Sequence, residues 1–204
     1  MDGVRTVRVG ARACLVEVGD AVAAASLASW ARASGLGAGE IVPAAATVLF
    51  DDVDPDDVEA ALPHWPTEDA HRPGPLVRLP VVYDGPDLDA VADHWRCPVA
   101  EVVRVHTSLE LVAVFSGFAP GFSYLAGLPT ERAVPRLSTP RPRVAAGSVG
   151  LADTWCGVYP TASPGGWLLV GSTDEVLWDA DREQPALLAP GTRVRFVDAG
   201  RAGG

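Results

Sequence analysis

Arginines separated by prolines make one segment of the sequence stand out chemically. Residues 131–144 contain four arginines and three prolines, in a chain of 204 residues whose formal net charge is −10. Guanidinium groups bind carboxylates and phosphates through paired hydrogen bonds, and prolines stiffen the segment that aims them. We therefore predict an anion site that uses at least one of Arg136, Arg141 and Arg143. Alternatively, each arginine pairs with a surface carboxylate, and we assign Arg132 to that alternative.

Hydroxyl groups and glycine-rich strings form a second group of candidates, between residues 146 and 167. Backbone N–H groups in such strings can form nests for oxyanions or phosphates, although β-turns produce similar strings. The Gly-x-Ser-x-Gly pattern of a nucleophile elbow is absent, because Ala146 occupies the first glycine position. We predict that substrate or phosphate is bound by Gly147, Ser148, Tyr159, Ser163, Gly165 and Gly166.

Two further segments carry candidate groups. His106 ends a predicted helix, and we consider it for proton transfer, with stabilisation of the helix C-terminus as the alternative. Residues 117–128 place aromatic side chains between glycines, which allow backbone conformations closed to other residues. This segment fits a pocket wall and, equally, a structured loop that plugs one end of a barrel.

The composition excludes several kinds of chemistry. All sixteen basic residues are arginine, so the chain has no lysine for a P-loop, a Schiff base or a Ser-Lys dyad. Its three cysteines are widely separated and no metal-ligand spacing occurs, so we expect buried thiols and no protein-bound metal. The acidic balance argues against nucleic acid and anionic membranes as partners. We expect a cytoplasmic protein, since neither a secretory signal nor a transmembrane run is visible.

The elements that position these groups follow from apolar spacing and caps. We predict a strand with its continuation over residues 4–18, and helices that begin after Asp20, after Asp54, near residue 87 and at residue 98. Short apolar runs broken by glycine and proline indicate a closed or sandwiched β domain. These runs are residues 76–83, 109–115, 144–146, 167–170, 176–178 and 194–197.

A proline-rich stretch separates the first part of the chain from the part with short apolar runs. Residues 63–75 contain four prolines, which oppose both a helix and a central strand, and we interpret them as a linker. The sequence therefore predicts two domains, 1–75 and 76–204.

The succession of these motifs resembles the KipI family, which is also known as the B-type (PxpB) subunit of 5-oxoprolinase or as allophanate hydrolase subunit 1. The resemblance covers residues 81–197, in order and with similar gaps, whereas the first third of the chain is similar only in segments 16–19 and 41–43. The segments that carry it are His106, 117–122, 124–125, 135–136, 140–141, 146–149, 157–160, 163–167 and 187–196.

The resemblance implies an α+β fold, in which a small α/β N-terminal domain precedes a cyclophilin-like β-barrel domain. It implies a hydrolase that acts with a larger homologous subunit of the C type and with a third protein of the A type. Together they would open 5-oxoproline to glutamate, using ATP with Mg, and the partner is one candidate for the ATP site. With this resemblance, the hypothesis gives Arg141 and Arg143 the anion, Ser148 and Tyr159 orienting hydrogen bonds, and His106 proton transfer or positioning.

The sequence departs from the family pattern at three places. Trp155-Cys156 replaces a Gln-Thr pair, Ser172 replaces an arginine, and Ala145 replaces a proline. These departures leave the exact substrate open. Two other functions suggested by relatives also stay open, which are inhibition of a sensor histidine kinase and an accessory role in urea or allophanate degradation.

Overall fold

The computed structural model describes residues 4–66 and 74–200, which form two compact units. The first unit lies within Met1–Pro73 and the second within Gly74–Gly204. Most of the predicted linker, residues 67–73, lies outside the described ranges, and the domain limits stay a prediction. No helix within the described ranges is both long and apolar enough to cross a lipid bilayer.

The first unit is a four-stranded antiparallel sheet with helices on one face. Its elements are β1 (Arg5–Arg8), β2 (Ala13–Glu17), α1 (Ala21–Ser34), β3 (Glu40–Pro43), β4 (Thr47–Asp51) and α2 (Pro55–Ala61), followed by a 3₁₀ turn at Leu62–His64. The strands pair in the order β1-β2-β4-β3. Alternate side chains of β2 and β4 form the core with both helices, because strand residues point to opposite faces in turn.

The helix caps of this unit confirm the sequence prediction. Asp20 accepts a hydrogen bond from the Ala23 N–H at 2.8 Å, and Gly35 ends α1 at φ +71°. The strand and its continuation that we predicted over residues 4–18 form the two strands of a hairpin, β1 and β2. Gly10 takes the left-handed conformation at φ +74°, which turns the chain between β1 and β2.

The second unit is built on a seven-stranded, nearly closed sheet. Its elements are β5 (Leu76–Val81), α3 (Leu88–Trp95), α4 (Val99–Ser108), β6 (Leu111–Ser116), β7 (Ser123–Ala126), β8 (Arg141–Val144), β9 (Ser148–Ala152), β10 (Trp155–Val158), β11 (Ser163–Gly165), β12 (Leu168–Ser172) and β13 (Arg193–Asp198), with a 3₁₀ turn at Thr130–Arg132. The strand order is β12-β9-β10-β7-β6-β13-β5, and β8 pairs with β11 separately.

A single bridge brings the two edges of this sheet together. Val82, just after β5, exchanges backbone hydrogen bonds with Ser172 of β12, both at 2.9 Å. Together with the sheet of the first unit, this nearly closed barrel confirms the predicted mixed α and β fold. Ser172 also donates to Asp84 at 3.2 Å, so this departure from the family pattern lies at the barrel closure.

The strand predictions for this unit are partly wrong. The run at 176–178 forms no strand, and Trp178 makes only an isolated bridge to Ala186. The run at 144–146 lies largely beyond β8, which ends at Val144. The prediction omitted β7, β9 and β10, because these short strands contain small residues or glycine and lack a long apolar run.

Three of these strands use their two faces differently. One face of β9, β10 and β12 packs into the barrel core, and the opposite face carries a separate aromatic cluster. The core face includes Val149, Leu151, Cys156, Val158, Leu168 and Val170, and the opposite face includes Ala152 and Leu169, beside Phe122, Tyr159 and Trp167. The strict alternation of the strand therefore separates the core from the aromatic face.

Candidate functional site

A cavity of about 280 Å³ lies on the aromatic face of the second unit. Six aromatic side chains, one alanine, one arginine and one aspartate line it: Phe118, Phe122, Tyr124, Trp155, Tyr159, Trp167, Ala152, Arg136 and Asp153. Concave, largely apolar cavities with a few polar groups are the usual sites for small ligands. The segment 117–128, which left two interpretations open, therefore supplies part of a cavity wall.

A larger depression in the first unit has weaker chemistry. It measures about 440 Å³ and is lined by residues of β1 and the end of α2. Its arginine, Arg5, already pairs with Glu17 at 2.7 Å. None of the predicted site residues lies there, so we place the candidate site in the second unit.

The aromatic rings of the cavity pack edge to face. Phe122 lies 5.4 Å from Trp167 and 5.5 Å from Tyr159, measured between ring centroids, and Tyr124 lies 5.9 Å from Trp155. Edge-to-face pairs at such distances add about 0.5–1.5 kcal/mol beyond simple burial. This packing gives the cavity a firm wall. Trp155, which replaces a glutamine of the family pattern, is part of that wall.

Two paired glycines form the base on which these rings lie. Gly150 of β9 is directly opposite Gly157 of β10. A methyl group at Gly157 would be 3.0 Å from the Phe122 ring and 3.1 Å from the Trp167 ring, and one at Gly150 would be 3.1 Å from Trp167. The missing side chains therefore allow the rings to approach the sheet backbone.

Phe118 stands at the cavity in a strained conformation. Its φ is +71°, which is unusual for a bulky residue, and the residue is 60% exposed. Hydrogen bonds within the loop hold it there: the Gly117 N–H donates to the Phe122 carbonyl at 3.2 Å, and the Phe122 N–H donates to Ala119 at 3.0 Å. Strain of this kind is concentrated at ligand sites in many proteins.

Tyr159 places a protonated hydroxyl against the cavity. Burial raises its pKa, and the Trp167 backbone hydrogen bond and the charges of Arg136 and Arg141 oppose this only in part. Gly165 permits the position of the ring, since a methyl group there would be 2.3 Å from the Tyr159 hydroxyl oxygen. The phenol is therefore available as a neutral hydrogen-bond donor.

Arg136 is the arginine that the structure brings to the cavity. Its segment is fixed by the main chain on both sides: Val134 exchanges backbone hydrogen bonds with Asp153 at 2.6 and 3.0 Å, and the Leu137 N–H donates to Gly166 at 2.8 Å. Among the described residues, no carboxylate forms an ion pair with Arg136. Its guanidinium group therefore remains available for an anionic ligand.

Arg141 and Arg143 are placed differently from the prediction. Arg141 pairs with the buried carboxylate of Asp87 at 2.6 Å, so its charge is already neutralised. The same carboxylate accepts the Leu169 N–H at 2.7 Å, which ties β8 to β12 behind Trp167. Arg143 is exposed and does not line the cavity. Neither residue lines the cavity, and Arg141 instead supports its wall through Asp87 and through the Trp167 carbonyl, to which it donates at 3.5 Å.

The predicted anion nest at Gly147 and Ser148 is not formed. The Gly147 N–H donates to the Tyr159 carbonyl at 2.7 Å, and the Ser148 N–H is directed to Ala145 at 3.3 Å. Their backbone donors are therefore used within the turn, as β-turns commonly do. In the glycine-rich string at 163–167, Ser163 lies in β11 and its hydroxyl is directed to the Thr161 carbonyl at 3.4 Å. The Gly166 carbonyl accepts the Leu137 N–H and so anchors the Arg136 segment.

His106 lies in the barrel core and not in the cavity wall. It is fully buried, with Nδ1 2.6 Å from the Tyr83 hydroxyl and Nε2 3.4 Å from the Cys156 sulfur, and it stacks on Phe196. Burial lowers the pKa of His106 to about 4, so the ring is neutral at pH 7. The substrate contact that proton transfer would require is therefore absent, and we correct the role of His106 to a core residue.

Two functional candidates were missed by the sequence reasoning. Asp153 turns the β9–β10 hairpin at φ +53° and lines the cavity beside Trp155. Asp87 supports the cavity wall from behind, where its carboxylate accepts the Leu169 N–H. The Ala-Asp-Thr-Trp string carried a turn signal, but nothing local indicated that the turn faces Arg136. The partner of Asp87 is 54 residues away in sequence, which no local pattern can show.

Comparison with known proteins places this geometry in a family. The family description "Carboxyltransferase domain, subdomain C and D" matches residues 4–188. The B-type subunit of 5-oxoprolinase from Escherichia coli O157:H7 is 45% identical over 146 residues, which are 70% of this chain and 67% of that protein. The protein of the same name from Bacillus subtilis is 45% identical over 125 residues, which are 60% of this chain and 52% of that protein.

Solved structures agree with the fold. The crystal structure of TTHA0988 has a TM-score of 0.76 and 33% identity, and covers 92% of this chain and 40% of its own. The urea amidolyase of K. lactis has a TM-score of 0.70 over 97% of this chain and 15% of its own, but only 19% identity, which supports the fold alone. The matched part spans about two thirds and about half of the two bacterial relatives. The chain belongs to the carboxyltransferase subdomain C and D family, beside relatives that are named as B-type subunits of 5-oxoprolinase.

Proposed function

We propose that this chain is the substrate-binding, B-type subunit of a 5-oxoprolinase, and that the aromatic cavity holds the lactam. The observation that supports this proposal best is the Arg136 guanidinium, which pairs with no carboxylate of residues 4–66 and 74–200, in an aromatic-walled cavity of about 280 Å³. The substrate is a small, flat ring with one carboxylate. Charge-assisted hydrogen bonds from arginine suit that carboxylate, and aromatic faces suit the ring.

The cavity also offers a donor for the lactam oxygen. The neutral Tyr159 hydroxyl lies in the same wall as Arg136, and burial raises its pKa above the ordinary value of a phenol. When an amide oxygen is activated, negative charge develops on it, and a fixed donor in a largely apolar site stabilises that charge. In this proposal Arg136 orients the ring by its carboxylate and Tyr159 donates to the carbonyl oxygen.

Two observations favour a partner protein as the subunit that binds Mg-ATP. The sequence has no lysine, and the Gly147 and Ser148 N–H groups are used within their turn. We therefore assign ATP to a partner protein.

An exposed apolar surface beside the cavity supports a partner. The loop of Phe118 touches the segment of Trp178, since a methyl group at Gly121 would be 2.6 Å from the Trp178 Cβ. Phe118, Val176 and Trp178 are 60%, 54% and 41% exposed. Exposed apolar clusters near a cavity commonly mark a contact surface. We assign this surface to the larger homologous subunit, and co-purification of a histidine kinase instead would favour the inhibitor function.

Titration of the chain with 5-oxoproline tests the proposal, with tryptophan fluorescence as the readout because Trp155 and Trp167 line the cavity. We expect Arg136→Ala to weaken binding about 10- to 100-fold, the usual loss for a hydrogen-bonded charge. The matched control is Arg143→Ala, since Arg143 is exposed and outside the cavity. In the assembled complex, we expect 5-oxoproline-dependent ATP hydrolysis to be weakened in Arg136→Ala and to stay at the wild-type level in Arg143→Ala.

The result against the proposal is equally specific. If wild type does not bind 5-oxoproline, or if the two arginine variants bind it equally well, the cavity is not the substrate site.

A further inference from the structure

Two opposite charges line the same cavity without pairing with each other. Asp153 and Arg136 both line it, yet no ion pair joins them among the described residues. Both residues are exposed, so solvent screens their attraction and an ion pair between them would contribute little. The reciprocal hydrogen bonds between Asp153 and Val134 fix both anchor points, two residues from Arg136.

The turn that carries Asp153 is unusual in its own right. Asp153 has φ +53°, one of four non-glycine residues with positive φ in the described ranges, and Phe118 of the same cavity is another. Asx residues tolerate this conformation better than most others, so the carboxylate can be presented at the tip of a tight hairpin. Its backbone N–H and carbonyl are both bonded to Val134, so the exposed carboxylate is its remaining polar group at the cavity.

We propose that Asp153 recognises the ring N–H of the substrate, so that the cavity selects a cyclic amide with a carboxylate next to its nitrogen. This inference rests on the proposed function. Arg136 binds the carboxylate and Asp153 accepts the hydrogen bond of the adjacent N–H. Two protein groups that bind neighbouring atoms of one small ligand have to lie close together without touching. Asp153 and Arg136 line one cavity and form no ion pair with each other, and the Val134 hydrogen bonds join the segments that carry them.

Asp153 is therefore a specificity-determining residue. A carboxylate only accepts hydrogen bonds, so it favours a ring N–H and disfavours a ring oxygen, which would face it with lone pairs. Sites that hydrogen-bond a ligand group discriminate strongly against analogues without that group, because the protein group is then left unpaired. The aromatic wall packs equally well against a ring with an N–H and a ring with an oxygen, so it supplies no such preference.

Two ligands of equal shape test this assignment on the full chain. They are 5-oxoproline and its ring-oxygen analogue, 5-oxotetrahydrofuran-2-carboxylate. We expect wild type to prefer the lactam by about 10- to 100-fold in Kd, as for other hydrogen-bonded charges. Asp153→Gly should reduce the preference to less than about 3-fold, and Asp153→Asn, which keeps an acceptor oxygen, should retain part of it.

Glycine is the informative substitution because it accepts φ +53° without strain. The matched control is Asp52→Gly, since Asp52 is also exposed, has φ +50° and lies in the first unit. It should leave the preference unchanged.

Each outcome has one meaning. A full lactam preference in Asp153→Gly overturns the role of Asp153 while binding of 5-oxoproline, and with it the proposed function, stands. Absence of binding of either ligand to wild type overturns the proposed function and this inference together.

Discussion

The two faces of β9, β10 and β12 use titratable groups in opposite ways. On the core face, His106 is held between Tyr83 and Cys156, fully buried and with both ring nitrogens in contact with a partner. On the aromatic face, Arg136 and Asp153 line a cavity without an ion pair between them. Adjacent residues of one strand, Trp155 and Cys156, belong to the two different faces.

The difference shows that an unusual pKa alone does not locate a ligand site. The largest shifts in the second unit belong to the core: burial raises the pKa of Tyr83 and Cys156 and lowers that of His106. Those groups have no access to a ligand. The candidate site is instead marked by accessible charges in a concave aromatic wall, where geometry comes before pKa.

The largest predicted effect is on the core face, where acid should lower the free energy of unfolding through His106. His106 has a folded pKa of about 4, lower than its usual 6.5, so the unfolded chain takes up the proton first as the pH falls. This contribution to stability is complete above pH 6.5 and is lost towards pH 4, by up to about 3 kcal/mol. Urea unfolding at a series of pH values measures it.

Two variants isolate this effect from the general action of acid. His106→Gln cannot take up a proton and should flatten the decline between pH 6.5 and 4, whereas His64→Gln, at an exposed position of the first unit, should retain it. Identical slopes in wild type and His106→Gln would contradict the assignment.

A methyl group between the sheet and the rings should disturb the aromatic face. In Gly157→Ala the new carbon meets Phe122 at 3.0 Å and Trp167 at 3.1 Å, which overpacks the cluster. We expect the free energy of unfolding to fall by about 1–3 kcal/mol and ligand binding to weaken. Gly117→Ala is the control, because its nearest neighbour, Tyr124, is 3.6 Å away. Equal stability of both variants in thermal or urea unfolding would contradict the described packing.

The smallest predicted effect separates strain from ligand contact at Phe118. Phe118→Ala keeps the left-handed backbone at φ +71°, and Phe118→Gly relieves it. We expect the glycine variant to be more stable by about 1 kcal/mol, the reverse of the usual order of these residues. Both variants should weaken 5-oxoproline binding to the same extent. A less stable glycine variant would show that no strain is stored there.

Local features of the sequence were predictable, and contacts across the fold were not. The caps at Asp20, Gly35 and Asp54 follow from their own neighbours and are present. Arg136 was one of three candidate arginines. The choice among them depended on Asp87, a distant residue that neutralises Arg141. The glycine string at 147 failed as an anion site, because its N–H groups close a turn whose partner is the Tyr159 carbonyl.

The double attachment of the Arg136 segment has a consequence for molecular evolution. Residues 134 and 137 are bonded to the Asp153 turn and to Gly166, so main-chain hydrogen bonds fix the segments that carry the two charged groups. Mutations in the ring-bearing wall can then reshape the cavity while these two segments keep their main-chain attachment. Divergent members of such a lineage would be free to exchange one small ligand for another without rebuilding the barrel.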